Sequence, residues 1–406
     1  MEYLPPMAQD PRQPAQVRWL GAAQLVDVVR SEPGITRAAA AQRLGLGTGG
    51  AAELVARLRR ARLLDETPAP VQGRGRPTTV LCPHADGPLV LAADLRAGDW
   101  RLALAGLDGV PQVVAHGAYA GADLELVLSR LADAIGAAYR RKAKRVRAIA
   151  VSAAGPISGA RLGQFLSRGW NDVDLSVLTG RVPDRAGVHL LVGNDATLAG
   201  LAEARTGAAR GAGTALHLIV AVGIGGTLVV NGDPVTGSQG AAGEYGHVPF
   251  ADPAMVCPCG ASGCWDLTVD GRALARHLGD TPPEDPVGYV HTLLGRSPRD
   301  AKTRKAFEAV AASLGRGIGG LVNLHDPDIV TLGGLAAPLR GVAPEVFDTA
   351  YRDGLMSFRK PSPPPVRDGT HGEDGPLHGA VALALDNVTT AAGLADWAAR
   401  LAAGKQ

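Results

Sequence analysis

One imidazole and three thiols crowd into eighteen residues of a chain that holds only four cysteines. Nine residues separate His247 from Cys257-Pro258-Cys259-Gly260-Ala261-Ser262-Gly263-Cys264. A Zn²⁺ ion takes four soft or borderline donors at tetrahedral corners. The C-x-C-x4-C spacing, with glycines at its turns, lets a short loop bring three sulfurs around one point. His247, Cys257, Cys259 and Cys264 are therefore expected to hold one structural zinc. The competing readings are three unrelated buried thiols and a disulfide. A disulfide suits the spacing poorly, because Cys257 and Cys259 do not pair easily and an odd thiol would be left over.

The residues before the loop indicate what such a metal would organise. Glu244 lies three positions before His247. An imidazole that binds zinc through one ring nitrogen keeps the other free to donate a hydrogen bond. A carboxylate beside a fixed N–H donor suits vicinal hydroxyl groups, so a sugar is the expected ligand.

At this point the chain resembles the ROK family, which contains sugar kinases and sugar-responsive repressors. The resemblance runs over the whole chain. It rests on Asn194-Asp195, on Gly223-Ile224-Gly225-Gly226, on Glu244-Tyr245-Gly246-His247, and on the cysteine loop followed by Trp265-Asp266. Any one glycine run is weak, but the order and spacing of four blocks are specific. The resemblance implies a two-lobed, actin-like (ribonuclease H-type) α/β domain with a structural zinc loop. It also implies that Asn194 contacts sugar hydroxyls and that Asp195 is the base of the kinases. Glu244, His247 and Asp266 would complete the ligand shell, Asp266 reaching through water because it is one methylene shorter than the family's glutamate. Gln164 and Asn171 are further sugar-side candidates.

One block departs from the kinase pattern. Where family kinases read D-x-G-G-T-K, this chain reads Asp94-Leu95-Arg96-Ala97-Gly98-Asp99-Trp100. Paired glycines bring backbone N–H groups to the phosphates of ATP. Here Arg96-Ala97 replaces them, and an acid and an indole are expected to oppose a triphosphate. No catalytic residue is expected to work unless the protein is a kinase, in which case Asp195 is the base.

The first 80 residues carry eleven Arg, no Lys and seven acidic residues, whereas the remainder is close to neutral. A basic segment on a neutral body points to an anionic partner for that segment. Its pattern predicts a helix over 16–29, with Val17, Leu20, Leu25, Val28 and Val29 inward. A second helix over 37–44 would be capped by Thr36, and a third, from Thr48 to about 62, by Thr48. Gly45 sits where the intervening turn needs positive φ. A hairpin from Leu63 to Leu81 would carry Arg74 and Arg76 on a glycine-rich tip suited to a narrow minor groove. This is a winged helix-turn-helix. Thr48, Arg57, Arg60, Arg74 and Arg76 are the candidate DNA contacts.

The expected division is a DNA-binding unit over 1–86 and a ROK domain over 87–406. Within the latter, one lobe would span about 87–195 plus a C-terminal helix over 377–403, and the other about 196–376. Residues 361–376 are expected as a mobile loop, and no internal repeat is visible. No apolar run reaches the ~20 residues that span a bilayer. No secretion signal is visible, and few cysteines suit a reducing cytoplasm. The reading that fits best is a sugar-responsive regulator binding zinc, operator DNA and an unphosphorylated sugar as a homodimer or homotetramer. The alternatives are an ATP-dependent sugar kinase and an interaction protein with a vestigial cleft.

Overall fold

The computed structural model describes residues 13–69, 79–119, 123–165, 168–183, 187–296 and 300–404. It opens with three helices, α1 (Gln13–Ser31), α2 (Arg37–Arg43) and α3 (Thr48–Arg60), and an antiparallel hairpin, β1 (Leu64–Pro68) and β2 (Thr79–Pro83). Thr36 caps α2 by accepting from the Ala39 N–H at 3.1 Å, and Gly45 takes φ +63° at the following turn, both as expected. The cap of α3 is different. Gly47 holds that position without a side-chain bond, and Thr48 is the first helical residue. The inward face of α3 is Ala51, Leu54, Val55 and Leu58. On α1 the buried stripe is Ala22, Leu25, Val26 and Val29, whereas Leu20 is 55% exposed. The Leu81 N–H donates to the Ile35 carbonyl at 2.8 Å, so the hairpin is sewn to the entry of α2.

Two five-stranded sheets form the body, and they share one plan. The first contains β3 (Leu89–Leu95), β4 (Asp99–Ala105), β5 (Gln112–Ala118), β6 (Val146–Ala153) and β10 (His189–Asn194), in the order β10-β6-β3-β4-β5. The helix α4 (Leu124–Lys142) links β5 to β6. A small sheet of β7 (Ile157–Ser158), β8 (Arg161–Phe165) and β9 (Trp170–Asp174) is inserted before β10. After α5 (Asp195–Thr206) comes the second sheet, with β11 (Thr214–Ala221), β12 (Gly223–Val230) and β13 (Asp233–Pro234). Its remaining strands are β14 (Ile329–Gly334) and β15 (Val366–Asp368), in the order β13-β12-β11-β14-β15. Numbered within each sheet, both orders read 3-2-1-4-5, with two antiparallel hairpin turns and two parallel additions. The repeat lies in topology, where a search of residues does not see it.

Between β13 and β14 lie the cysteine loop, α6 (Gly271–Leu278), α7 (Pro286–Leu294) and α8 (Ala301–His325). The chain then forms α9 (Ala336–Val342), α10 (Pro344–Gly354), α11 (Gly375–Val388) and α12 (Ala391–Ala403). The expected single C-terminal helix is thus two, parted where Thr390 caps α12 by accepting from the Gly393 N–H. The expected mobile loop over 361–376 is also corrected. It contains β15, and the buried Glu203 carboxylate accepts the backbone N–H groups of Thr370 and His371 at 3.0 and 2.9 Å.

Every residue of β3 and β6 is buried, as strands covered on both faces must be. Alternate side chains serve different cores. Leu91, Ala93, Ile149 and Val151 pack beside α4, while Val90, Ala92, Ala148 and Ala150 face α11. That second core is continuous with α12 and with α1 and α3. The pair α5 and α11 lies between the sheets, α5 touching β11 and β12 and α11 touching β3 and β6. They cross closely because Gly379 has no side chain: a Cβ there would stand 1.9 Å from the Leu198 carbonyl.

Candidate functional site

A cavity of about 320 Å³ opens between the two halves of the body. Gly155, Gln164, Phe165, Asn194 and Asp195 line one side; Gly223 to Gly226, Glu244, His247, Cys257, Cys259, Asp266 and Arg272 line the other. Asn194 is the N-cap of α5: its Oδ1 accepts the Thr197 N–H at 2.9 Å and its Nδ2 donates to the Gly155 carbonyl at 3.1 Å. Its amide therefore fixes the start of the helix while forming part of the wall. Asp195 follows as the first residue of α5 and accepts its own helix's Ala196 N–H at 2.8 Å. Desolvation pushes its carboxyl up to about 6, against the pull of that N–H, with Asp94 and Glu244 adding to the rise.

Glu244 precedes a single turn of 3-10 helix, Tyr245–His247. Tyr245 anchors that turn by packing against Gly226 and edge-on to His325, with ring centroids 5.3 Å apart. Burial raises the Glu244 carboxyl, with His247 opposing and Asp266 assisting. The His247 ring lies between two environments. Its Nδ1 is 3.9 Å from Cys257 Sγ, and its Nε2 is 3.9 Å from a Glu244 oxygen.

The donor atoms of His247, Cys257, Cys259 and Cys264 all lie within 4.8 Å of one another. Cys259 and Cys264 sulfurs are 3.7 Å apart, and all four cysteines are free thiols. Tetrahedral zinc with Zn–S bonds of ~2.3 Å places its donors ~3.8 Å apart, so the group has the chemistry and spacing to hold that ion. The loop is built by short backbone bonds, Cys257 N–H to Ala261 O at 2.8 Å and Gly260 N–H to Cys257 O at 2.9 Å. Trp265 then ties it to the body: fully buried, it donates from Nε1 to the Ser313 carbonyl on α8 at 3.2 Å.

Asp266, next in line, accepts the Ile224 N–H at 2.5 Å. It wedges between two glycines, since a Cβ on Gly223 or Gly246 would meet its carboxylate at 2.5 or 2.1 Å. Gly223 also takes φ +98°, so this position is closed to other residues on both counts. Asp266 thus clamps the β11–β12 turn to the Glu244 segment. Asn171 is not part of the cavity lining. It is exposed, and its amide turns back to the Gly169 carbonyl at 3.1 Å, while its cross-strand partner Gln164 lines the wall.

The turn between β3 and β4 is closed on itself. Arg96 makes a bidentate pair with Asp99 at 2.6 and 2.5 Å. Arg101 binds the buried Asp94 at 3.0 Å and also binds Asp374. The indole expected to oppose phosphate does not do so: Trp100 is buried against Gly117 in the core beside α4.

The first turn of α3, with Thr48, Gly49 and Gly50, is exposed, and so is Arg60. Arg57 instead lays its guanidinium 5.7 Å from the Trp19 ring, a packing role. Arg59 pairs with Asp65 at 3.0 Å. Arg74 and Arg76 lie outside the described residues.

Sequence reasoning passed over Arg272 and Arg101. The signal for Arg272 was the helix start at Asp270-Gly271, two residues before it; Arg101 carries no local signal, because its partners are seven residues upstream and on a distant segment.

Two sheets of one topology, joined through α5 and α11 around a cleft, define an actin-like α/β protein. The chain belongs to the ROK family, whose sequence profile matches residues 114–387. It is 25% identical over 229 residues to the glucokinase of Streptomyces coelicolor, covering 52% of this chain and 70% of that one. Among solved structures, a ROK family transcriptional regulator homologous to the E. coli MLC protein superposes with a TM-score of 0.73 at 20% identity. That match covers 94% of this chain and 100% of the regulator. The ROK glucokinase of Streptomyces griseus, in complex with glucose and AMPPNP, gives a TM-score of 0.61 at 24% identity, over 73% of this chain and 99% of the enzyme.

Proposed function

We propose that the protein is a sugar-responsive, DNA-binding transcription regulator, most simply a repressor, that binds its sugar without phosphorylating it. The observation that carries this reading is the joint between the N-terminal unit and the cleft. Asp386 on α11 accepts from Arg30 of α1 at 3.0 Å and from Arg205 of α5 at 3.1 Å. The helix that carries Arg205 in its last turn begins at Asn194-Asp195, on the cavity wall. Trp397 of α12 further donates to the Ala61 carbonyl at 2.7 Å, and one apolar core runs through the contact. A shift of α5 on ligand binding therefore has a short, stiff path to the N-terminal helices.

In this reading the helices and hairpin are a winged helix-turn-helix. Thr48 opens the reading helix, Arg60 meets phosphate, and Arg74 and Arg76 enter the minor groove. His247, Cys257, Cys259 and Cys264 hold zinc through His247 Nδ1, leaving Nε2 toward Glu244 and the sugar. Asn194, Asp195, Glu244 and His247 take up sugar hydroxyls, with Asp266 behind them. An unmodified hydroxyl suits the Asp195 end, where two carboxylates would repel a phosphate. The closed Arg96–Asp99 turn and the captured Asp94 supply no free cradle for a triphosphate, which favours sensing over phosphoryl transfer. Two reading heads are needed for a palindromic site, so a homodimer or homotetramer is proposed.

Purified full-length protein tested in parallel separates regulator from kinase. The expected result is retention of a sequence-selected duplex with a steep salt dependence and no sugar-dependent ATP consumption. Phosphorylation of any aldose at ~1 per second or faster would overturn the reading.

A further inference from the structure

Among the described residues that line the cavity, Arg272 is the only lysine or arginine. It stands at the second position of α6, with its side chain 26% exposed. Its Nε donates to Asp270 Oδ2 at 2.6 Å, and Asp270 is fully buried. That carboxylate is also held by the start of its own helix, accepting the N–H groups of Arg272 and Ala273 at 2.9 and 3.2 Å. The pairing uses only the inner edge of the guanidinium. Among the described residues, neither Nη group has a hydrogen-bond acceptor, and Arg272 lines the cavity, so its outer, two-pronged edge is free to take a ligand.

Arg272 lies on the cavity wall that carries Glu244, His247 and Asp266, and Asp195 lies on the other. A ligand made only of hydroxyl groups would leave the outer edge of Arg272 unused. A planar monoanion matches that edge with two parallel bonds. A phosphate dianion matches the fork too, but brings a second charge toward Asp195, Glu244 and Asp266.

Resting on the sugar-binding reading above, we propose that the cavity selects a sugar acid, whose carboxylate is gripped by Arg272 while its hydroxyls face Asp195 and Glu244. Arg272 is then the residue that sets ligand class. Asp270 pre-orients it, so little side-chain freedom is lost on binding.

The test is calorimetry on the full-length protein, using a panel of aldoses, each with its uronic acid, its aldonic acid and its phosphates. Comparing within each set removes the effect of stereochemistry. At least one acid should bind about tenfold or more tighter than its parent aldose, as a charge-assisted pair implies. Arg272→Gln should abolish that preference, and Arg272→Lys, which keeps the charge and the contact with Asp270, should restore part of it. Parent aldoses that bind as well as their acids, a preference that survives Arg272→Gln, or phosphates that bind tighter than the acids would each overturn the proposal. The first and third results leave the sugar site standing. Failure of every member of every set to bind would remove the sugar-site reading itself.

Discussion

At the level of single residues, Asp195 joins pH to both stability and binding. Its carboxyl is pushed from 3.8 up to about 6, chiefly by desolvation. The folded state therefore holds the proton more tightly than the unfolded chain. The stability this contributes is complete below the unfolded value and is lost as pH rises through about 6. Above that pH the ion on the half-buried cavity wall is a cost, so Asp195→Asn should be more stable than wild type by ~1–2 kcal/mol and melt higher. Sugar affinity should run the other way. A hydroxyl donates to the ionised carboxylate, so wild-type binding should weaken as pH falls below about 6, and Asp195→Asn should bind weakly with a flatter profile. Calorimetry across that range checks this; an unchanged profile in the variant would count against the role of Asp195. Cys259 gives a separate residue-level expectation. Metal analysis should find one zinc per chain, and Cys259→Ser should lower both metal content and sugar affinity because the ion orients His247. Native protein without zinc would refute the assignment.

Among the elements, α3 and its hairpin carry the DNA prediction. Arg60 is exposed, whereas Arg57 packs on Trp19. Arg60→Ala should therefore weaken DNA binding evenly across sequences and reduce the salt slope by about one. Replacing Arg74 and Arg76 together should weaken operator binding by ~1–3 kcal/mol each. Anisotropy titrations at several salt concentrations measure both, and an unchanged slope in the double variant would contradict the wing. The elements also show how much the residues disclose by themselves. Local signals sufficed for α2, where Thr36 caps and Gly45 turns. They failed where a distant partner decides the outcome. Glu203 orders the 361–376 stretch from more than 160 residues away, and α1 buries Val26 rather than Leu20 because it packs against α12. In the cavity, the cysteine loop and Glu244 were legible from spacing. Gln164 and Asn171 are cross-strand partners with the same local signal, and only the folded cavity, which Gln164 lines, separates them.

At the scale of the whole molecule, one connection joins the cavity to the N-terminal helices. The ligand wall and the N-terminal helices share α5, α11 and the Asp386 carboxylate, and the linker between them is tied down by Arg145, which donates to the Gly87 and Ala85 carbonyls at 2.9 and 2.6 Å. A rigid joint of this kind transmits a displacement that a flexible tether would absorb. The most direct measurement is the affinity of the full-length protein for its operator, with and without saturating sugar, in wild type and in Asp386→Asn. Wild type should change its DNA affinity by about tenfold or more on binding sugar, a coupling of ~1–3 kcal/mol, and Asp386→Asn should keep its DNA affinity without sugar while losing most of that change. DNA affinity indifferent to a sugar that calorimetry shows to be bound would contradict the account.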